Sequence, residues 1–259
     1  MNEKFTGIVL FIRPYREKDS LVKIFTREFG TKMFFVRGLQ SLNHPLKKHL
    51  IPLTEHQYWG TINQQGLSFL KEGQTLNLFR SIQSDPFKQA HAAYISQLVD
   101  ASVDDNSKDQ QLFDFFQATL SSLNEREDAR PIQLLLQLKL LQRFGLQLNM
   151  KNCVVCGSSQ RIEDFSMVHL GVLCHNHLDK DPNRMHLSSK QVKILQLFNE
   201  IKLNQLGQVS ISDLSYKKID ELIFTIYHEQ VGIKLKGESY LNQLYKVADQ
   251  LKISKNQGR

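Results

Sequence analysis

The most specific chemistry in this chain lies in one short stretch. All three cysteines of the 259 residues fall there, as Cys153-Val154-Val155-Cys156, then 17 intervening residues, then Cys174-His175-Asn176-His177. A Cys-x-x-Cys knuckle curls so that two thiolates face one centre, and a second knuckle carried on a β-hairpin completes a tetrahedron. Soft thiolates joined by one imidazole select zinc over Mg2+ or Ca2+. His177 restores in Cys174-x-x-His177 the spacing of the first pair, while His175 adjoins Cys174 and His169 lies on a presumed strand; all three stand as candidates for the fourth ligand. Four N/S ligands leave no open position, so the expected ion is one structural zinc per chain held by Cys153, Cys156, Cys174 and His177. An odd number of cysteines argues against a disulfide framework. A redox Cys-x-x-Cys would sit at a strand–helix junction of an alternating α/β unit, a pattern this region lacks, and would leave Cys174-x-x-His177 unexplained.

Other catalytic patterns are absent. The sequence has no phosphate-binding Gly-x-x-x-x-Gly-Lys-Ser/Thr, no Gly-x-Gly-x-x-Gly, no Gly-x-Ser-x-Gly and no His-Glu-x-x-His, since His228-Glu229 is followed by Gln230-Val231-Gly232. The zinc deaminase signature is missing as well. Asp104, Asp105 and Asp109 lie in a polar stretch between helices and are expected to be a solvated loop rather than a nuclease cluster. No catalytic residue is assigned, and a binding protein is expected rather than an enzyme.

Charge shows where binding would occur. The net charge is +7, and residues 1–80 hold nearly all of the excess, with 12 Lys and Arg against 6 Asp and Glu. A positive module attracts polyanions, and its attraction is weakened by salt. The expected phosphate-contacting track is Arg13, Arg16, Lys23, Arg27, Lys32 and Arg37, with Lys47 and Lys48 on the following loop. Arg13 and Arg37 lead because each adjoins a strand end. The aromatic residues Phe25, Phe34, Phe35 and Trp59 sit in apolar runs and are expected in the core, which leaves affinity to charge.

The elements that must position these groups are of two kinds. Short apolar and β-branched runs at Gly7–Ile12, Leu21–Thr26, Lys32–Val36, Gln57–Ile62 and Leu67–Leu70 predict five strands, punctuated at Arg27–Gly30 and Asn63–Gly66. Five strands in so short a span fit an OB-type β-barrel. After Asp85-Pro86 the apolar period becomes helical, with stripes through Ala92, Ile95, Leu98 and Val99, through Leu112, Phe115, Phe116 and Leu120, and through Leu134, Leu135, Leu138 and Leu141. Gly145 suits the end of the third helix. Further helices follow Ser188-Ser189 and lie near Tyr216–Gln230 and Glu238–Lys252. The expected class is therefore a multidomain α+β chain: an OB-fold DNA-binding barrel (1–80), a first helical part (81–150), a zinc-ribbon-like insertion (151–186) and a second helical part (187–259) with a frayed tail from Ile253. No run approaches the length a membrane span needs, and a cytoplasmic location is expected.

The same residues carry a family resemblance. Gly7-Ile8-Val9-Leu10, followed by the stretch from Arg13-Pro14-Tyr15-Arg16-Glu17-Lys18-Asp19-Ser20-Leu21 to Phe25-Thr26 and Gly30, resembles the N-terminal signature of the bacterial recombination mediators of the RecO family. Met33-Phe34-Phe35-Val36-Arg37-Gly38 and Pro52-Leu53 match its next segments, and the helical region interrupted by cysteines has the family's order. Many relatives carry a fourth cysteine where this chain has His177. The resemblance implies binding of single- and double-stranded DNA, annealing of complementary strands, and action with RecR to load RecA onto DNA coated by single-strand-binding protein, in the bacterial cytoplasm at the nucleoid. Two other classes fit the residues alone: an RNA-binding or ribosome-associated zinc-ribbon protein, and a zinc-dependent nucleic-acid-modifying enzyme. Strand annealing without turnover and a preference for single-stranded DNA over structured RNA would separate these.

Overall fold

A computed structural model describes residues 2–207 and 209–257. Packing groups them into two compact units, Met1–Ala129 with Leu235–Arg259, and Arg130–Lys234.

The first unit is built on a closed barrel of β1 (Glu3–Tyr15), β2 (Asp19–Thr26), β3 (Gly30–Val36), β4 (Glu55–Thr61) and β5 (Ser68–Asn77) in the order β1-β2-β3-β5-β4. Neighbours are antiparallel except β3 and β5, and β4 returns to β1 to close the wall. This is the five-stranded Greek-key barrel expected from the sequence. Period-2 alternation sends Phe5, Val9, Val22, Ile24, Phe34 and Tyr58 inward, all essentially without exposure. Phe5 stacks on Phe34 with centroids 5.6 Å apart. Strand β1 outruns its apolar centre at both ends because polar residues continue the ladder on the solvated wall.

Helices α1 (Arg80–Ser84), α2 (Pro86–Ala101), α3 (Gln110–Glu125) and α7 (Lys236–Gln257) complete this unit. Asp85 caps α2 by accepting from the Phe87 and Lys88 N–H groups, with Pro86 filling the first turn where no donor is required. The buried stripe of α3 runs through Phe113 as well as Phe116, and Phe115 is only half-buried. Phe25 points outward from β2 and is covered by Phe113, edge-on at 5.4 Å, and Phe116 at 6.4 Å. The β2–β3 turn is held as well: Asn106 N–H donates to Thr31 O (3.1 Å) and Thr31 Oγ1 donates to Asp105 (2.9 Å). Against α2, α7 places Tyr245 in hydrogen-bond contact with His91 (2.8 Å) and Gly237 N–H on Gln97 Oε1 (3.0 Å). The tail expected to fray from Ile253 lies within α7 as far as Gln257, and 258 and 259 fall outside the described residues.

One buried titratable group inside this unit gives it a pH dependence. The Thr54 hydroxyl donates to Ile51 O (2.6 Å), so His56 Nε2 must donate to Thr54 Oγ1 (2.7 Å), and His56 Nδ1 has no partner among the described residues. Burial, reinforced by the His49 ring, pushes His56 from 6.5 down to about 4. The fold thus favours the neutral ring. This contribution is whole above pH 6.5 and is lost as the pH falls from 6.5 toward 4, with about 2 kcal/mol expected to be gone near pH 5. Urea unfolding near neutrality and near pH 5 measures the loss, and an equal loss in His56→Gln would assign it to another group.

The second unit contains α4 (Arg130–Leu140), α5 (Ser189–Glu200) and α6 (Asp213–Thr225), with a hairpin of β6 (Ile162–Ser166) and β7 (Gly171–Cys174). A 3₁₀ turn, Leu141–Phe144, extends α4 to Gly145, where the sequence places the helix end. Ser188 and Gln191 form a reciprocal capping box on α5. Leu134, Leu135, Leu138, Val192, Leu195, Phe198, Ile219, Leu222 and Ile223 are buried, as their helical spacing requires. The Tyr227 hydroxyl donates to Gln137 O (2.7 Å) from the π-type turn that follows α6.

Candidate metal centre and nucleic-acid interface

The candidate metal centre is assembled by two turns that face each other. Cys153-Val154-Val155-Cys156 bends back on itself through Gly157 N–H to Cys153 O (2.8 Å) and Cys153 N–H to Ser158 O (2.8 Å). Val154 N–H donates to Val172 O (3.0 Å), which fastens the knuckle to β7. Cys174 ends β7, and the 3₁₀ turn that follows, His175–Lys180, delivers His177. The hairpin register sets Ile162 opposite Cys174 and Phe165 opposite Val172; Phe165, Val172 and Leu173 are all buried, and of these Leu173 packs with Cys153 and Cys174. Asp164 braces the hairpin: one carboxylate oxygen accepts from the Phe165 and Leu187 N–H groups, and the other pairs with Arg184 (3.0 Å).

The ligand atoms of Cys153, Cys156, Cys174 and His177 all lie within 4.8 Å of one another. Cys156 and Cys174 sulfurs are 3.9 Å apart, and His177 Nδ1 is 3.2 Å from Cys174 Sγ and 3.7 Å from Cys153 Sγ. A tetrahedron with metal–sulfur bonds of about 2.3 Å and a metal–nitrogen bond of about 2.0 Å has edges of roughly 3.5 to 3.8 Å, so the four atoms already outline a coordination shell. Burial raises the Cys153 thiol, but hydrogen bonds from backbone groups of Cys174, Cys156 and Val155 outweigh it and bring the thiol down to about 6. Of the three histidines, the structure brings His177 to the three thiols. His175 turns away to Glu163 (2.9 Å), and His169 occupies the turn between β6 and β7 rather than a strand.

The basic track divides when traced onto the barrel. Arg13, Arg16, Arg37, Lys47 and Lys48 are exposed. Arg13 and Arg37 have no ion-pair partner among the described residues, and Lys47 lines an open cleft of about 380 Å³ beside Pro14, Ser20 and Gln40. The other three are engaged elsewhere. Lys23 does face outward, as alternation predicts, but Asp100 (2.7 Å) and Asp105 (2.9 Å) clamp its ammonium. Arg27 makes a two-pronged contact with Asp114 (2.7 and 3.1 Å), which pulls that carboxyl below its usual range. Lys32 pairs across the ladder with Ile24, shares the inward side and donates to Asn63 O (3.0 Å), with burial lowering its pKa. Asp105, read from sequence as part of a solvated loop, is thus a structural partner of Lys23 and Thr31.

The aromatic expectation is half met. Phe25 and Phe34 are core residues, while Phe35 and Trp59 are only half-buried on the outer wall. Tyr15 and Phe69, which sequence analysis did not single out, are 39% and 44% exposed and complete an aromatic row with Phe35. Pairing register was the missing signal, because it places Phe69 on β5 directly opposite Phe35 on β3.

Comparison with known proteins identifies the family. The family model described as Recombination protein O N terminal matches residues 1–79, and that described as Recombination protein O C terminal matches residues 83–238. A protein named DNA repair protein RecO from Enterococcus faecalis is 38% identical over 247 residues, covering 95% of this chain and 94% of its own length. Proteins of the same name from Pediococcus pentosaceus and Lactococcus lactis are 36% and 37% identical, each covering 95% of this chain and 97% of its own length. No helix of the described residues is long and apolar enough to cross a membrane. The barrel, the helices and the Cys3His cluster thus occur within a sequence similarity that runs almost end to end, and the chain belongs to the RecO family of DNA repair proteins.

Proposed function

We propose that this chain is a non-catalytic recombination mediator of the cytoplasm and nucleoid. It binds single- and double-stranded DNA, anneals complementary strands and, with RecR, helps load RecA onto DNA coated by single-strand-binding protein. The barrel of residues 1–80 carries the DNA contacts, and zinc held by Cys153, Cys156, Cys174 and His177 is structural. Family membership supports the mediator role. The observation that carries the DNA site is the exposed, unpaired state of Arg13 and Arg37 on the barrel, with Arg16, Lys47 and Lys48 adding to the positive field. Lys23, Arg27 and Lys32 hold the fold instead, each against a partner inside its own unit.

A salt titration tests this. Each phosphate contact on a single strand contributes about −0.7 to the slope of log affinity against log salt, so Arg13→Ala/Arg37→Ala is expected to flatten the slope by about 1.4. Thermal unfolding confirms that the double variant is folded. An unchanged slope and affinity would move the DNA site off this wall.

A further inference from the structure

The outer wall of β1, β2 and β3 is divided into a covered and an open half. At Phe25 it lies under α3, and at Lys23 it is pinned by the two aspartates. Toward the start of β2, Leu21 is still buried at 7% exposed, but its neighbours on the adjoining strands open to solvent. Here Arg13, Leu21, Phe35 and Phe69 are successive cross-strand neighbours on β1, β2, β3 and β5, so all four side chains stand on the same side of the sheet. Tyr15, two positions beyond Arg13, leans onto Phe35 with centroids 6.1 Å apart, and Phe69 meets Phe35 from the other side at 6.3 Å. Both contacts are edge-to-face, at 90° and 80°. The Arg16 guanidinium lies 5.3 Å from the Tyr15 ring centre, and the exposed Arg37 ends β3 two residues past Phe35.

We infer that Tyr15, Phe35 and Phe69 form a platform on which unpaired bases of a single strand stack while Arg13, Arg16 and Arg37 hold its phosphates. The inference rests on the DNA site proposed above and adds what that site distinguishes. Charge complementarity selects the occupant. Apolar rings flanked by guanidinium groups suit a ligand that alternates flat apolar faces with anions. Asp19 stands directly opposite Tyr15 in the β1–β2 ladder, and its carboxylate is engaged at the β3 end, where it accepts from Gly38 N–H (2.8 Å). Stacking requires an exposed base face, which a fully paired duplex does not offer, so the platform confers preference for single strands. Phosphate contacts alone confer none.

The test compares a thymidine oligonucleotide, an abasic oligonucleotide of equal length and charge, and a blunt duplex. Stacking is worth about 5- to 150-fold in affinity per base. Tyr15→Ala/Phe69→Ala removes two exposed rings and leaves the buried core intact. It is expected to lose at least about tenfold in affinity for the thymidine strand, with affinity for the abasic strand and the duplex and the salt slope unchanged. Phe35→Leu keeps the wall filled and is expected to show a smaller loss of the same kind. If the double variant binds all three probes as the parent does, the platform is overturned while the arginine track stands, and the exposed rings belong to a protein contact. If Arg13→Ala/Arg37→Ala leaves binding unaltered while the ring variant loses the thymidine strand, the track fails and the platform survives.

Discussion

Removal of zinc by a strong chelator is expected to unfold the β6–β7 hairpin and the knuckle before it. The hairpin's own apolar core is small, consisting of Cys153, Leu173 and Cys174 with Val154, Ile162 and Leu178 against them, and two of its buried members belong to the Cys3His cluster. Apparent zinc-binding energies of about 10 to 16 kcal/mol in small fingers show how much of such a fold the ion sustains. Protein purified without added metal should contain one zinc per chain. Cys156→Ser should lose it and lose amide-exchange protection over residues 153–178. His177→Ala should weaken binding severely, whereas His175→Ala, whose ring faces Glu163, should retain the metal. Elemental analysis near zero for the parent, or full occupancy in Cys156→Ser, would discard the assignment.

Gly30→Ala should be the most damaging single methyl group in the barrel unit. Gly30 has φ +71°, and a Cβ built there would lie 2.1 Å from the Ser107 carbonyl oxygen, which is backbone and cannot rotate aside. The left-handed conformation costs a non-glycine residue about 1–2 kcal/mol, and forced displacement of packed structure adds about 1–3, for a total of about 2–5 kcal/mol. The segment displaced carries Asp105, so the Thr31 hydrogen bond and one of the two anions on Lys23 go with it. Gly66 supplies the control: its φ is +78° with nothing within 4 Å of the added carbon, so Gly66→Ala should cost only the backbone part. Thermal denaturation of the two variants beside the parent measures the difference. Equal stability of Gly30→Ala and Gly66→Ala would show that the Ser107 contact imposes no constraint.

How much of this was legible depended on whether the deciding interaction was local. The Cys3His cluster was, because residue type and spacing within two knuckles already restrict the geometry; only which of His169, His175 and His177 joins the cysteines needed the path of the chain. The barrel was legible from alternation in β2 and β3. The full lengths of β1 and β5 were not, since Glu3–Thr6, Arg13–Tyr15 and Lys71–Asn77 are largely polar residues whose ladder partners, not their composition, keep them extended. Lys23 and Lys32 looked alike in sequence. One is neutralised by carboxylates far along the chain and the other points inward because of its register with Ile24. Phe35 sits in an apolar run beside Phe34, and only the inward or outward sense of the pleat separates a core ring from a half-buried one.

The packing of α7 against α2 bears on the order in which this protein can be made. Tyr245 and Gly237 contact Phe87, His91 and Gln97, so the helical layer of the barrel unit draws on residues synthesised after the whole of 130–234. A nascent chain therefore has every element of the second unit available while the first still lacks a helix. During that interval α2 exposes the side that Tyr245 later covers, and the unit whose synthesis begins first is completed last.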